Sequence, residues 1–389
     1  DRKDLNGKSA QQYFQMAYDM AIEGINNPSV YGLNDTYYET HLGSNDRNKE
    51  WLLYADHTEA DEFYDGQSHG YASGGAFDQI FVWFPTSNYC NIKTAGREAA
   101  QDYGRPWTRM APPIDVFTKT FADQENDSRY DGTFVSVYHA NWHRNGDNAM
   151  THKGANDMDI ERDGAVLSFI PQTDGIVYAD ANAGVGAGVL PGRADYVIGF
   201  EDLNRIIYPG LWKLGTYRTD NNGGMGSPNG GITRPTLLAK FSEFYLIAAE
   251  AAVKGATGAQ SARDLVNVLR ARAGKWVYSN AERSAKNEAR SAEMVAATPA
   301  TIDMEYIMAE RSREFFGEGL RRLDLMRTQM YKEIAGTYRI AGNGYGDHKA
   351  ETFTRDFKDH YWLAPIPQGQ LDAMEMTADE KKAYQNPGY

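Results

Sequence analysis

The run from Met304 to Arg327, MEYIMAERSREFFGEGLRRLDLMR, constrains this chain more than any other. Met304, Ile307, Met308 and Phe315 recur at helical spacing. Gly317 and Gly319 then bracket Glu318, and glycine is where a helix ends most readily. A second stripe follows at Leu323, Met326, Met330 and Ile334, so the run predicts two helices meeting at a tight corner, spanning 302–335. Glu305, Glu310, Arg311, Arg313, Glu314, Glu318, Arg321, Arg322 and Asp324 crowd the same stretch. On a tightly turned helix pair some of these must lie at the corner itself, where guanidinium forks hold carboxylates and helix-end carbonyls. Such ion-pair networks imitate catalytic clusters. The expectation is a fold-defining corner, not an active site.

A chain of 389 residues holds two or three domains or one large composite one. A formal charge of −13 argues against nucleic acid as the main partner, because phosphate binding wants basic surface. No run of about 18 apolar residues exists, so no membrane-spanning helix is expected. Cys90 is the single cysteine and has no metal-ligand or nucleophile context, which excludes an internal disulfide. The 25 tyrosines and 38 glycines favour long ordered loops and stacking surfaces. The chain opens at Asp1 without an initiating Met, which reads as a processed or truncated product.

Residues 9–26 predict a helix with Ser9 as its cap and Tyr13, Ala17, Met20 and Ala21 as its stripe. Residues 31–54 read as polar loop with short extended pieces, and 77–84 as a buried strand or helical turn. Pro112 and Pro113 start a short helix within 106–121. Thr133 to Tyr138, Val166 to Phe169 and Tyr196 to Phe200 predict strands in a loop-rich region. Leu237 to Lys254 and Ala259 to Ala273 predict an αα-hairpin of about tetratricopeptide length, with Leu238, Phe241 and Tyr245 on its inner stripe. Pro365 and Pro367 suit an extended, docked tail. The expected organisation is one composite domain over 1–389. It comprises an N-terminal helical part (1–55), loop-rich insertions (56–233) and C-terminal hairpins with a docked tail (234–389).

Several of these segments, in this order, resemble the SusD/RagB outer-membrane nutrient-binding lipoproteins. Phe241 to Ala251 is similar to that family's R-x-a-E-v-y-L-x-x-A-E-A helix, and Asn267, Arg270, Arg272, Ala273 and Gly274 to its N-x-x-R-x-R-A-G ending. Glu310 to Arg327 resembles its E-R-x-x-E signature through D-L-x-R. Pro365-Ile366-Pro367 and the closing Gln385-Asn386-Pro387-Gly388-Tyr389 match its P-I-P and Q-N-P-G-Y ending, and Asp127-Ser128-Arg129 its D-P-R element. The resemblance covers 235–389 well and 1–140 loosely. It implies a mainly α, SusD-like fold: tetratricopeptide-like helical hairpins with long loop-rich insertions and short β-strands. It also implies a binding role without catalysis, with an oligosaccharide or an oligopeptide as ligand. The implied partner is a SusC-like TonB-dependent outer-membrane barrel. The implied location is the cell surface of a Gram-negative bacterium, through a lipid anchor outside this sequence. Members of the family begin with a lipidated cysteine and further helical hairpins, so an N-terminal portion is expected beyond Asp1.

A pyranose presents a flat CH face that packs on an aromatic ring, and its hydroxyls bond to Asn, Asp and Arg. The candidate ligand platforms are therefore the aromatics beside polar loop residues: Tyr71, Trp83, Tyr89, Trp107, Tyr138 and Trp142. The bland alternative for each is packing. A glycan-active hydrolase is the competing reading, but no spacing among the 53 acidic residues picks out an acid and a nucleophile. A scaffold that binds only proteins is a third. His139 and His143 lack an H-E-x-x-H frame and follow a strand, which argues against zinc. Asp157, Asp159 and Asp163 alternate like part of a calcium loop without the glycine and glutamate of an EF-hand. No cofactor is expected, and calcium at these three is the one alternative.

Overall fold

A computed structural model describes residues 7–56, 81–178, 184–217 and 234–389. Helix α1 (Ala10–Asn26) starts as expected. The Ser9 Oγ accepts the Gln12 N–H and the Gln12 side chain accepts the Ser9 N–H, a reciprocal capping box. The buried face differs from the expected one. Tyr18 and Ala21 point inward with Phe14, Ala17 and Ile25 beside them, while Met20 is 66% exposed. Tyr18 sets this rotation: its hydroxyl donates to the Gln260 carbonyl at 2.8 Å and accepts the Gln260 N–H at 3.1 Å. A short helix, α2 (Tyr37–His41), stands where the sequence reads as polar loop. Its own capping box, Thr36 with Glu39, was a legible signal. Strand β1 (Trp51–Ala55) closes this part.

In the insertion the single strand expected over Thr133 to Tyr138 is two, β2 (Phe134–Val135) and β3 (Val137–His139). They separate at Ser136, whose carbonyl accepts the Phe169 N–H, and they pair with different partners. A hairpin of β4 (Thr151–Lys153) and β5 (Asp159–Glu161) follows. Then β6 (Ala165–Ile170) lies between antiparallel β3 and parallel β7 (Tyr196–Gly199), while β8 (Gly210–Leu211) pairs with β2. Residues 116–120 wind as a π-helical turn after Pro112 and Pro113. An aromatic core built on Phe117, Phe121, Phe134, Tyr138, Tyr208 and Trp212 binds these short pieces together.

The long helix expected from Leu237 starts five residues later. Strand β9 (Thr236–Lys240) pairs antiparallel with β1, and the Phe241 N–H donates to the Glu50 carbonyl at 2.8 Å. Tertiary pairing overrides the helical spacing here, and Leu238 is left 51% exposed. Helices α3 (Ser242–Val253) and α4 (Ala262–Ala273) form the predicted hairpin, and α3 shares one hydrophobic core with α1 and α4. An unexpected hairpin, β10 (Lys275–Ser279) with β11 (Ser284–Ala289), and helix α5 (Ser291–Ala296) intervene. Helices α6 (Met304–Glu314) and α7 (Arg321–Arg327) meet at the predicted corner, where Gly317 and Gly319 both hold φ 82°. The second helix is shorter than expected. It stops before Gln329, at φ 59°, and α8 (Tyr331–Ala335) is a separate turn. Leu323, expected inside, is 61% exposed.

Strands β12 (Thr337–Ile340) and β13 (Glu351–Thr354) make a last hairpin before α9 (Gln368–Asp372) and α10 (Ala378–Tyr384). The tail is extended at Leu363 and Pro367, as the prolines predict, and its two motifs hold each other. The Gln385 amide accepts the Ile366 N–H at 2.7 Å and donates to the Ile366 carbonyl at 3.0 Å. Asn386 donates to the Ala364 carbonyl, and the Tyr389 hydroxyl to the Leu363 carbonyl. Among the described residues no helix is long and apolar enough to cross a membrane.

Candidate functional site

Glu310, Glu314 and Glu318 stand four residues apart, so one face of α6 and its exit carries three carboxylates into the interior. Each is met by cations from distant segments. Glu310 accepts Arg270 at 2.7 Å, Arg313 at 2.8 Å and Arg129 at 2.9 Å. Glu314, fully buried, accepts Arg272 and lies 3.3 Å from Lys240 and 3.6 Å from Arg129. Glu318 binds Lys213 and, at 2.9 Å, Lys240. Asp127 holds Arg129 through two hydrogen bonds at 2.8 and 2.6 Å, and Glu50 holds Arg272 at 2.9 Å. Burial alone would raise the Glu310 and Glu314 pKa values. The surrounding guanidinium and ammonium groups overcome it and hold both carboxyls well below the usual range. His41, buried beside Lys213 and Lys240, is pushed well below the ordinary imidazole value. Every carboxylate of this network is occupied by cations, which fits a frame and leaves none poised as acid or nucleophile.

Asp324 anchors a second, smaller set. It accepts Arg311 and Arg327, each at 2.7 Å, and Arg327 also clamps Glu250. Arg322, expected in the frame, is exposed; Arg321 turns inward instead and donates to the Met308 carbonyl at 2.9 Å.

Four of the six predicted ligand platforms are buried. Trp83, Tyr89 and Tyr138 are at most 1% exposed and Trp142 is 6% exposed. Tyr89 and Tyr138 stack on each other at 4.4 Å, and Trp142 spends its N–H on the Ala149 carbonyl. With their rings packed in the core, these four offer nothing flat to a sugar in this structure. Trp107 is partly buried against Trp83 and Phe84. Tyr71 lies outside the described residues. The calcium reading is not supported either. Asp159 is tied to Lys153 and Asp163 to Arg144, each at 2.9 Å, while Asp157 presents its carbonyl to Lys153. Among the described residues no group of three or more side chains is placed to hold a metal.

Two concavities that sequence reading did not single out lie beside the corner. A cavity of about 910 Å³ opens between loop 108–116, the α6–α7 corner and the β12–β13 hairpin. Arg109, Arg205, Arg311, Arg321 and Arg355 line it. Burial pulls Arg321 below the ordinary guanidinium range; Asp324 opposes this and Arg311 adds to it. Next to the cavity, a groove of about 420 Å³ is walled by Tyr331, Phe353, Phe357, Tyr361 and Tyr389, with Arg322, Arg355 and Asp356 at its edges. Arg355 belongs to both, and its guanidinium lies over the rings of Tyr331 and Tyr338 at 5.8 and 5.0 Å. Tyr361, Phe353 and Tyr389 are between 42% and 44% exposed. The only sequence signal was the run of aromatics between Tyr331 and Tyr361; the arginines that join them come from segments as distant as Arg109 and Arg205 and meet only in three dimensions.

Residues 207–389 match the sequence model of the SusD family. No curated protein matches the chain. Among solved structures, surface glycan-binding protein A from Bacteroides thetaiotaomicron is 17% identical with a TM-score of 0.52, over 97% of this chain and 60% of that one. The same figures hold for its complex with laminarihexaose. The counterpart from Bacteroides fluxus is 18% identical with a TM-score of 0.51, over 97% of this chain and 59% of that one. The chain thus spans about 60% of the length of the first of these structures. The likeness establishes a SusD-like fold: helical hairpins carrying loop-rich insertions and short strands, as the motifs implied.

Proposed function

Because residues 207–389 match the SusD family and the chain carries its fold, we propose that this protein captures oligosaccharides at a bacterial cell surface. The observation that carries this reading is the groove of Tyr331, Phe353, Phe357, Tyr361 and Tyr389. Aromatic rings open to solvent are what a pyranose CH face packs on, and Arg322, Arg355 and Asp356 supply donors and acceptors for its hydroxyls. Similar solved structures bear the name glycan-binding, one of them with laminarihexaose bound, which supports a saccharide over a peptide. The buried network around Glu310, Glu314 and Glu318 is assigned no part in contact. It fixes β9, α4, α6 and the 127–129 loop relative to one another, so that the concavities keep their shape.

The same reading includes delivery of the glycan to a SusC-like TonB-dependent barrel, and attachment to the outer membrane by a lipid anchor. It assigns binding to the protein and no turnover. Trp107 and Tyr71 remain proposed contacts from the insertion. An oligosaccharide array tests capture. Binding to at least one glycan, weakened about tenfold by Tyr361→Ala, is the expected result. Binding to oligopeptides alone overturns it. Gentle detergent extraction tests delivery, since a large β-barrel should co-purify with the full-length protein and its absence counts against that step.

A further inference from the structure

The cavity beside the groove has an unusual charge. The chain as a whole carries −13, yet five arginines line this one space. Of the three carboxylates in its wall, Asp115 is taken by Arg339 and Lys119, and Asp324 by Arg311 and Arg327. Only Glu351, on an exposed strand, faces the arginines without such a partner among the described residues. Arg109, Arg205, Arg321 and Arg355 are likewise ion-paired to no carboxylate among the described residues. Arg311 is only 4% exposed, and its Nη1 has no hydrogen-bond partner among the described residues. A buried guanidinium N–H without an acceptor is costly unless something supplies one. Arg311 is the innermost member of the set, with Arg321 beside it and Arg109, Arg205 and Arg355 exposed around them.

We propose that this cavity is an oxyanion site, and that the glycan captured in the neighbouring groove is acidic, bearing carboxylate or sulfate groups. A guanidinium fork meets a planar carboxylate or a sulfate with two parallel N–H donors, which is the geometry for which arginine is suited and lysine is not. The wall agrees, having five arginines and no lysine. The volume of about 910 Å³ is ample for a sugar unit with its charged substituent. Arg355, shared by both spaces, lets one chain of sugars stack in the groove and place an acidic unit in the cavity. The glycan part of this inference rests on the proposed function; the anion part rests on the cavity alone.

The test is calorimetric titration of the full chain with four tetrasaccharide probes. They are a uronate oligomer, its methyl ester, a sulfated oligomer and its unsulfated parent. Binding of an acidic form at least tenfold tighter than its neutral counterpart supports the site, and the two pairs tell carboxylate from sulfate. The exposed double variant Arg109→Gln/Arg205→Gln should reduce that preference at least fivefold and leave thermal stability unchanged. Raising salt from 50 to 500 mM should weaken acidic binding and spare neutral binding. Equal affinity within both pairs overturns the oxyanion site, as does failure of every acidic probe to bind. Neutral glycans bound through Tyr361 would survive either failure, so the loss of this inference is separable from loss of the groove. Acidic peptides bound through these arginines, with no acidic sugar bound, would overturn the carbohydrate assignment.

Discussion

Replacing Glu314 with Ala removes the central anion of the corner. Glu314 is completely buried and faces Arg272, Lys240 and Arg129. Each cation keeps at least one partner, Arg272 with Glu50, Lys240 with Glu318, and Arg129 with Asp127 and Glu310, so the frame is wounded and not dissolved. Removing one partner of a buried ion pair costs about 3–5 kcal/mol, because the opposite charge stays desolvated. With an unfolding entropy of roughly 2.1 cal/mol/K per residue over 389 residues, that loss lowers the melting temperature by roughly 4–6 °C. Arg313→Ala is the graded comparison. Arg313 is partly exposed and gives Glu310 one of its three cations, so its loss costs about 1.5 kcal/mol, the low end for a charged hydrogen bond. Differential scanning calorimetry read beside glycan affinity decides the matter. Glu314→Ala should lower stability most, Arg313→Ala less, and neither should weaken glycan binding while folded. A variant that melts within about 1 °C of the parent but no longer binds ligand would refute the frame and place Glu314 in a site.

Other outcomes follow from the same structure. The His139 pKa is pushed down to about 4 by burial, with Arg283 adding to it. A depressed folded pKa means that stability is present above the ordinary 6.5 and is lost as pH falls from there toward 4, so acidification over that window should lower the melting temperature. His139→Gln should flatten that slope. Asp131 acts in the opposite direction: burial raises it to about 6, so its penalty fades as pH drops from 6 toward 3.8 and partly offsets the histidine loss. Gly319 holds φ 82°, and no described atom beyond its chain neighbours lies within 4 Å of the point a Cβ would occupy. Gly319→Ala should therefore cost about 1–2 kcal/mol through backbone strain alone, read by urea unfolding. Gln385→Ala removes both hydrogen bonds to Ile366; limited proteolysis within 363–389 should accelerate while the global melting temperature moves by less than roughly 1 °C.

The corner was legible because its signals are local. Glutamates four apart and two glycines fix a charged helical face and its end without reference to the rest of the chain. The αα-hairpin of α3 and α4 was legible for the same reason, its boundaries aside. Where distant segments decide, sequence reading went astray. Leu237 and Leu238 fit a helical stripe as well as a strand, and only pairing with Trp51 to Ala55 selects the strand. Tyr89 and Tyr138 sit beside polar residues in sequence, which suggested a surface, but they come from distant segments, stack on each other and are buried. The groove and the arginine cavity were invisible because their walls come from loop 108–116, the corner, a hairpin and the last residue of the chain. The pairing of P-I-P with Q-N-P-G-Y has a physical explanation after the fact: Gln385, Asn386 and Tyr389 supply the hydrogen bonds that hold the proline segment in place.

A frame that holds shape and a groove that meets ligand are separate parts of this molecule, and titration of an array-identified glycan against Tyr361→Ala and Glu314→Gln tests that separation most directly. Tyr361→Ala should lose about tenfold in affinity with its melting temperature unchanged, and Glu314→Gln should melt earlier but bind as the parent does. Unchanged affinity in Tyr361→Ala, together with lost binding in a folded Glu314→Gln, would contradict it.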